Sequence, residues 1–197
     1  MPGAGARRVR VAILISGAGS NMAALIDAAR DAGAPFEIAV VISNKPDAGG
    51  LAVAEAKGVA TAVVDHSAFG RDREAHERAV QTVLESHGVE LVALAGYMRL
   101  LTPWLVGRWA GRMLNIHPSL LPKYPGLDTH ARAIAAGDAE AGCTVHQVTE
   151  GVDDGPVLAQ ARVPVLPDDT PGSLAQRVLV AEHALYPRAM ADACRRR

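Results

Sequence analysis

Two polar side chains interrupt an otherwise apolar run at Met113-Leu114-Asn115-Ile116-His117. Successive side chains of an extended chain point to opposite faces, so residues two apart share one. Asn115 and His117 therefore present an amide and an imidazole side by side. Two N–H donors converging in this way can stabilise an oxyanion as it develops on a carbonyl. Pro118 follows and, having no N–H, ends ladder pairing; Pro122 and Pro125 stiffen the loop beyond it. Open α/β sheets bind ligands outside the carboxyl ends of their strands, which is where this loop falls. The plainer alternative is a strand end capped by a histidine bonded to backbone.

A second stretch offers its backbone. Ser16-Gly17-Ala18-Gly19-Ser20-Asn21 separates an apolar run from a segment with helical periodicity at Met22, Leu25, Ile26 and Ala29. Glycines let a ligand approach the main chain, and the unpaired N–H groups and dipole at a helix start favour an anion. The loop reads equally well as a phosphate cradle or a tight turn. Met22 occupies the third glycine position of the dinucleotide fingerprint, and no nucleotide-binding lysine follows. A third stretch, Thr149-Glu150-Gly151-Val152-Asp153-Asp154-Gly155-Pro156, is acidic and must turn sharply. Taken alone it reads as a hairpin loop with acids in water.

Asn115-Ile116-His117-Pro118-Ser119-Leu120-Leu121-Pro122 resembles the active-site segment of the folate-dependent formyltransferases. Lys123-Tyr124-Pro125-Gly126 is similar to those members that act on glycinamide ribonucleotide in purine biosynthesis; the methionyl-tRNA members usually carry a tryptophan-arginine-glycine run after this segment. The likeness runs from residue 11 to about residue 187. It implies transfer of a formyl group from 10-formyltetrahydrofolate, as co-substrate, to the amine of 5-phosphoribosylglycinamide, without a metal. By this resemblance Asn115, His117 and Asp153 are catalytic, and Asp154 stands where many relatives have glycine. The resemblance gives the ribonucleotide to Gly19, Ser20, Asn21 and Glu182. It gives the folate to Arg73, Met98, Arg99, Leu100, Leu101, Asn115, Thr149, Glu150, Gly151, Val152 and Asp153. From residue types alone Glu182 is a charge on a helix surface, and residues 98–101 are ordinary packing. A carboxylate beside the imidazole favours its charged form, and His117 serves either as proton donor or as a purely electrostatic stabiliser.

These groups need a scaffold. Val9–Ile15 is nearly all apolar, as in strands buried on both faces of a parallel sheet. Further strands are expected at residues 37–42, 61–64, 91–95, 142–148 and 157–165. Helices are expected at 22–32, at 51–57 with Gly58 just past the end, and at 71–87 with Ala75, Ala79, Val83 and Leu84 inward. Others open at Thr102-Pro103, at Asp128 or Thr129, and at Asp169-Thr170-Pro171. This alternation predicts right-handed βαβ crossovers. The fold class is α/β, a Rossmann-like, mostly parallel twisted sheet with helices on both faces in one domain. By the resemblance, residues 9–100 serve the ribonucleotide and residues 101–193 serve catalysis and folate.

A net charge of −1 supplies no basic field for nucleic acid or a membrane surface. Small-molecule partners are expected, and the resemblance allows a homodimer. No apolar run approaches the roughly 20 residues that cross a bilayer, and residues 1–10 lack a signal peptide's apolar core, so a cytoplasmic location is expected. Residues 2–10 and Arg195-Arg196-Arg197 read as solvated basic stretches. Cys143 and Cys194 match no zinc spacing or redox pair, even with His130 and His146 in view; they read as reduced thiols.

Overall fold

The computed structural model describes residues 7–197; residues 2–6 of the basic stretch 2–10 lie outside them. Strand β1 (Val9–Ile15) is central because its side chains are apolar on both sides. Val11, Ile13 and Ile15 enter one core, Ala12 and Leu14 the other, and all five are fully buried. β1 pairs in parallel with β2 (Phe36–Ser43) on one edge and β4 (Leu91–Leu94) on the other. With β3 (Thr61–Val63), β5 (Met113–His117), β6 (Glu140–Gln147) and β7 (Val157–Pro164) the sheet has the order β3-β2-β1-β4-β5-β6-β7. The first five strands are parallel, β6 pairs antiparallel with β5, and β7 pairs antiparallel with β6. Helices α1 (Ser20–Ala29), α2 (Gly49–Ala56), α5 (Thr129–Ala135) and α6 (Pro171–Arg195) cover one face. Helices α3 (Arg73–Ser86) and α4 (Pro103–Arg108) cover the other. This is the expected fold class.

The chain winds from β1 outward to β3 and then returns to β4 on β1's other side, so the strand order reverses between β1 and β4. Such a reversal splays the two loops apart and leaves a crevice at the carboxyl ends of the strands. The loops after β1, β4 and β5 are neighbours there, and they hold the glycine loop, residues 96–102 and the proline-rich segment.

Four local expectations need correction. The buried stripe of α3 is His76, Glu77, Val80 and Leu84; of the residues expected inward Leu84 is buried, Ala79 and Val83 pack half-buried against the same core, and Ala75 is half-buried outside that stripe. The polar pair is accepted because each finds a partner from a distant segment: His76 Nε2 donates to the Val64 carbonyl (2.8 Å), and Glu77 receives both donors of Thr102. Thr102 occupies the N-cap place of α4, with Pro103 next, but its hydroxyl bonds Glu77 instead of capping. Asp128 sits before α5 in the left-handed region (φ 57°) without a side-chain cap, and Thr129 donates to the Pro118 carbonyl (2.7 Å). Arg195 belongs to α6 rather than to a tail.

α6 begins as expected, with Thr170 and Ser173 forming a capping box and Pro171 in the first turn. Its fully buried Tyr186 donates to the carbonyls of Leu94 (2.9 Å) and Leu114 (3.1 Å), fastening the helix to β4 and β5. Tyr186→Phe keeps the ring and removes the donor. It should lower unfolding free energy by about 1 kcal/mol, measured by urea denaturation; an unchanged midpoint and slope would show that the hydroxyl fastens nothing.

Candidate active site

Leu114 and Ile116 enter the larger core, so β5 turns Asn115 and His117 together to its other face. His117 is buried with an acceptor on each side of its ring. Nδ1 lies 3.3 Å from Asp153 Oδ2, and Nε2 lies 2.9 Å from the Tyr124 carbonyl. Only the doubly protonated ring donates to both. Asp153 arrives on the β6–β7 loop in the left-handed region (φ 53°), and its Oδ2 also accepts from the Gly126 amide at 2.9 Å. Asp154 turns the other way, accepting from the Thr149 hydroxyl and lying against Gly151, where a Cβ would come within 1.9 Å of its Oδ2. The structure therefore gives Asp153, not Asp154, to the histidine.

His146 joins this cluster and was not among the expected site residues. β6 runs antiparallel to β5 with His146 directly opposite Asn115, and opposed residues share a face. His146 Nδ1 lies 2.9 Å from the Gln147 carbonyl, and its Nε2 lies 3.2 Å from Asn115 Nδ2. Nε2 also lies 3.6 Å from Asp153 Oδ1. Two residues earlier on the same face, Thr144 opposes His117, donates to the Ser119 carbonyl (2.7 Å) and accepts from the Leu121 amide (3.1 Å). It thereby pins the start of the proline-rich loop. The readable signal was a histidine and a threonine two apart in a predicted strand; which strand they oppose was not readable.

The loop after β1 enters α1 through Gly19, whose φ of 72° suits glycine and which supplies no side-chain cap. The amides of the first turn of α1 therefore remain available to a ligand. Gly50 of α2 packs on this loop, donating its amide to the Gly17 carbonyl at 3.0 Å, and a Cβ on Gly19 would come within 3.1 Å of the Gly50 Cα. Asn21 Nδ2 donates to Glu182 Oε2 at 2.7 Å, while Asn21 Oδ1 is buried without a partner among the described residues. Glu182 is buried, not a surface charge. Burial pushes its carboxyl up, with the Asn21 hydrogen bond opposing.

In the loop after β4, Met98 and Leu100 expose large apolar side chains, as do Leu127 beside Gly126 and Val152 beside Asp153. The Met98 amide donates to Ser16 Oγ (2.8 Å) and the Thr102 amide to Glu77 (2.7 Å). Between them the amides of Arg99, Leu100 and Leu101 have no partner among the described residues. Arg73, first residue of α3, reaches the same loop through Nη1 to the Leu100 carbonyl at 3.4 Å. Glu150 and Gly151 are exposed on the loop that carries Asp153. Apolar side chains beside unpaired main-chain donors suit a flat heterocycle with polar edges.

A family model described as formyl transferase matches residues 9–190. The chain belongs to the formyl transferase family. Phosphoribosylglycinamide formyltransferase of Escherichia coli is 47% identical over 179 residues, 91% of this chain and 84% of that protein. The trifunctional purine biosynthetic protein adenosine-3 of Drosophila melanogaster is 51% identical over 94% of this chain, which spans only 14% of that longer protein. The crystal structure of phosphoribosylglycinamide formyltransferase from Brucella melitensis superposes with a TM-score of 0.92 at 55% identity, covering 95% of this chain and 96% of that one.

In this formyl transferase the electrostatics converge on Asp153. Burial pushes its carboxyl up, but hydrogen bonds from His146 and the Gly126 amide, with the charges of His117 and His146, outweigh burial and hold it below its ordinary value of 3.8. The two cysteines are buried, and burial pushes the Cys143 and Cys194 thiols up to about 12 and about 11, so neither serves as a thiolate nucleophile at neutral pH. A carboxyl whose folded value lies below its unfolded one contributes stability that is complete above the unfolded value and lost as pH falls through the folded one. Asp153→Asn removes that dependence. On acidification below about pH 4 the parent should lose more stability than the variant, read from urea midpoints at a series of pH values. Parallel curves would mean that the carboxyl is not held in its charged form.

Proposed function

We propose that the chain transfers the formyl group of 10-formyltetrahydrofolate to the amine of 5-phosphoribosylglycinamide, giving formylglycinamide ribonucleotide and tetrahydrofolate in the purine pathway of the cytoplasm. The observation that carries this reading is the cluster of Asn115, His117 and Asp153 at the end of β5, beside a glycine loop suited to a phosphate. The names of the Escherichia coli and Brucella melitensis relatives support the choice of substrates. Among the described residues no helix is long and apolar enough to cross a membrane.

The amine nitrogen attacks the formyl carbon, the C=O electrons move onto oxygen, and a tetrahedral carbon with an anionic oxygen results. The Asn115 amide and a His117 N–H bind that oxygen. Asp153 holds the ring in orientation. The oxygen's electron pair then re-forms C=O as the C–N bond to the folate nitrogen breaks, that bond's electron pair stays on the folate nitrogen and takes a proton, and the former amine gives up one. Gly19, Ser20 and Asn21 take the phosphate and ribose end of the ribonucleotide, and Glu182 takes its hydroxyls or amine. Arg73, Met98, Arg99, Leu100 and Leu101 form one side of the folate slot, and Thr149, Glu150, Gly151 and Val152 form the other. Residues 9–100 thus serve mainly the ribonucleotide and residues 101–193 catalysis and folate, with the loop after β4 shared. No step needs a metal.

Purified protein mixed with both substrates should release deformylated folate, followed by absorbance, only when the ribonucleotide is present; release without it, or none at all, would refute the reading. His117→Ala should lower turnover by about a hundredfold to a thousandfold while leaving ribonucleotide binding nearly intact.

Gly19→Val tests the other half of the site. A β-branched residue resists the left-handed backbone and meets Met22 and Gly50. Calorimetric titration should show weakened ribonucleotide binding and unchanged folate binding; the reverse pattern would mean that the two ligand sites have been exchanged.

A further inference from the structure

Residues 96–102 have no regular secondary structure, yet buried side chains from two other elements hold both ends of the segment. At the first end Ser16, the residue after β1, donates its amide to the Gly96 carbonyl (3.2 Å), and its Oγ accepts from the Met98 amide (2.8 Å). The same hydroxyl donates to Oδ1 of Asn44 at 2.5 Å; Ser16 is 6% and Asn44 2% exposed. At the other end Glu77 of α3, 2% exposed, accepts from both the amide (2.7 Å) and the hydroxyl of Thr102. Those two donors are its hydrogen-bond partners among the described residues.

A carboxylate is expensive to bury unless donors meet its charge, and the inward face of α3 would pack as well with an apolar residue. Thr102 gives up its capping role to serve Glu77, leaving α4 without a side-chain cap. Both sacrifices go to fixing the direction in which the chain enters and leaves residues 98–102. The product is a stretch whose Arg99, Leu100 and Leu101 amides have no partner among the described residues.

We propose that Glu77 and Ser16 are positioning residues for the folate, clamping residues 98–102 at both ends so that their main chain meets the heterocycle already ordered, with Ser16 also tying this segment to the ribonucleotide loop. The proposal rests on the function proposed above. An ordered segment loses little freedom on binding, whereas a loosened one must be ordered by the ligand, which weakens affinity while leaving the bound complex the same. Ser16 leads directly into Gly17, so loosening it disturbs both loops. Glu77 touches only the folate side.

Steady-state kinetics with formyl-folate and the ribonucleotide test this. Glu77→Gln should raise the KM for formyl-folate about tenfold and leave kcat and the ribonucleotide KM within about twofold. Thr102→Val should do the same and Thr102→Ser should match the parent, so the test survives if a Glu77 variant fails to fold. Ser16→Ala should raise both KM values. Glu74→Gln makes the same charge change at an exposed site on the same helix and should alter neither. If the parent transfers no formyl group, the proposed function fails. If the parent is active and Thr102→Val keeps the parent's folate KM, or kcat falls in step with both KM values, the clamp is overturned.

Discussion

A carboxylate half-buried between two imidazoles is tolerable only if both its oxygens are met, and most of the local architecture follows from meeting those of Asp153. Oδ2 takes the Gly126 amide and faces His117, and Oδ1 faces His146. Gly126 comes from the proline-rich loop, which must therefore fold back over the end of β5; Thr144 pins that loop through Ser119 and Leu121. His146 comes from β6, which must run antiparallel to β5 in the register that sets it opposite Asn115. Asp153 itself needs the left-handed backbone (φ 53°), a conformation that aspartate tolerates better than most residues. Asp154 and Thr149 lock the turn that supplies it, at the cost of requiring glycine at 151.

The two ligand loops depend instead on the sheet. Parallel strands end in one direction, so β1, β4 and β5 deliver three consecutive loops to one edge, and the reversal of strand order opens a crevice there. α6 reaches the same edge because Tyr186 holds it on β4 and β5, which brings Glu182 against Asn21 at the head of α1. Residues 21 and 182 are far apart in sequence, yet both belong to the face that α1 and α6 share.

How much of this could be read beforehand depended on whether a residue's partner was local. β1 was legible because burial on both faces leaves an unbroken apolar run, and the start of α6 because its capping box lies within four residues. Asn115 and His117 were legible as a pair because strand periodicity alone puts them on one face. His146 was legible only as a histidine in a strand; its function comes from register with β5, which the intervening loop and helix determine. Glu77 and His76 misled in the same way. Polar letters predict an outward face, and what overrode them were Thr102 and the Val64 carbonyl, partners outside the helix. Glu182 was placed by family likeness, since its burial depends on Asn21.

Both oxyanion donors have neighbours within the protein: Asn115 Nδ2 lies 3.2 Å from His146 Nε2, and His117 Nε2 donates to the Tyr124 carbonyl. This pairing leaves neither of these two side-chain donors orphaned, so it costs the fold little. It also sets the conditions under which the donors change partners. A formyl oxygen is a neutral acceptor much like the ones already engaged, so exchanging them for substrate gains little in the ground state. As the amine adds and negative charge collects on that oxygen, the same two N–H groups make charge-assisted bonds, roughly twice as strong as neutral ones. The stabilisation therefore appears as the transition state forms, where it raises turnover instead of tightening substrate binding.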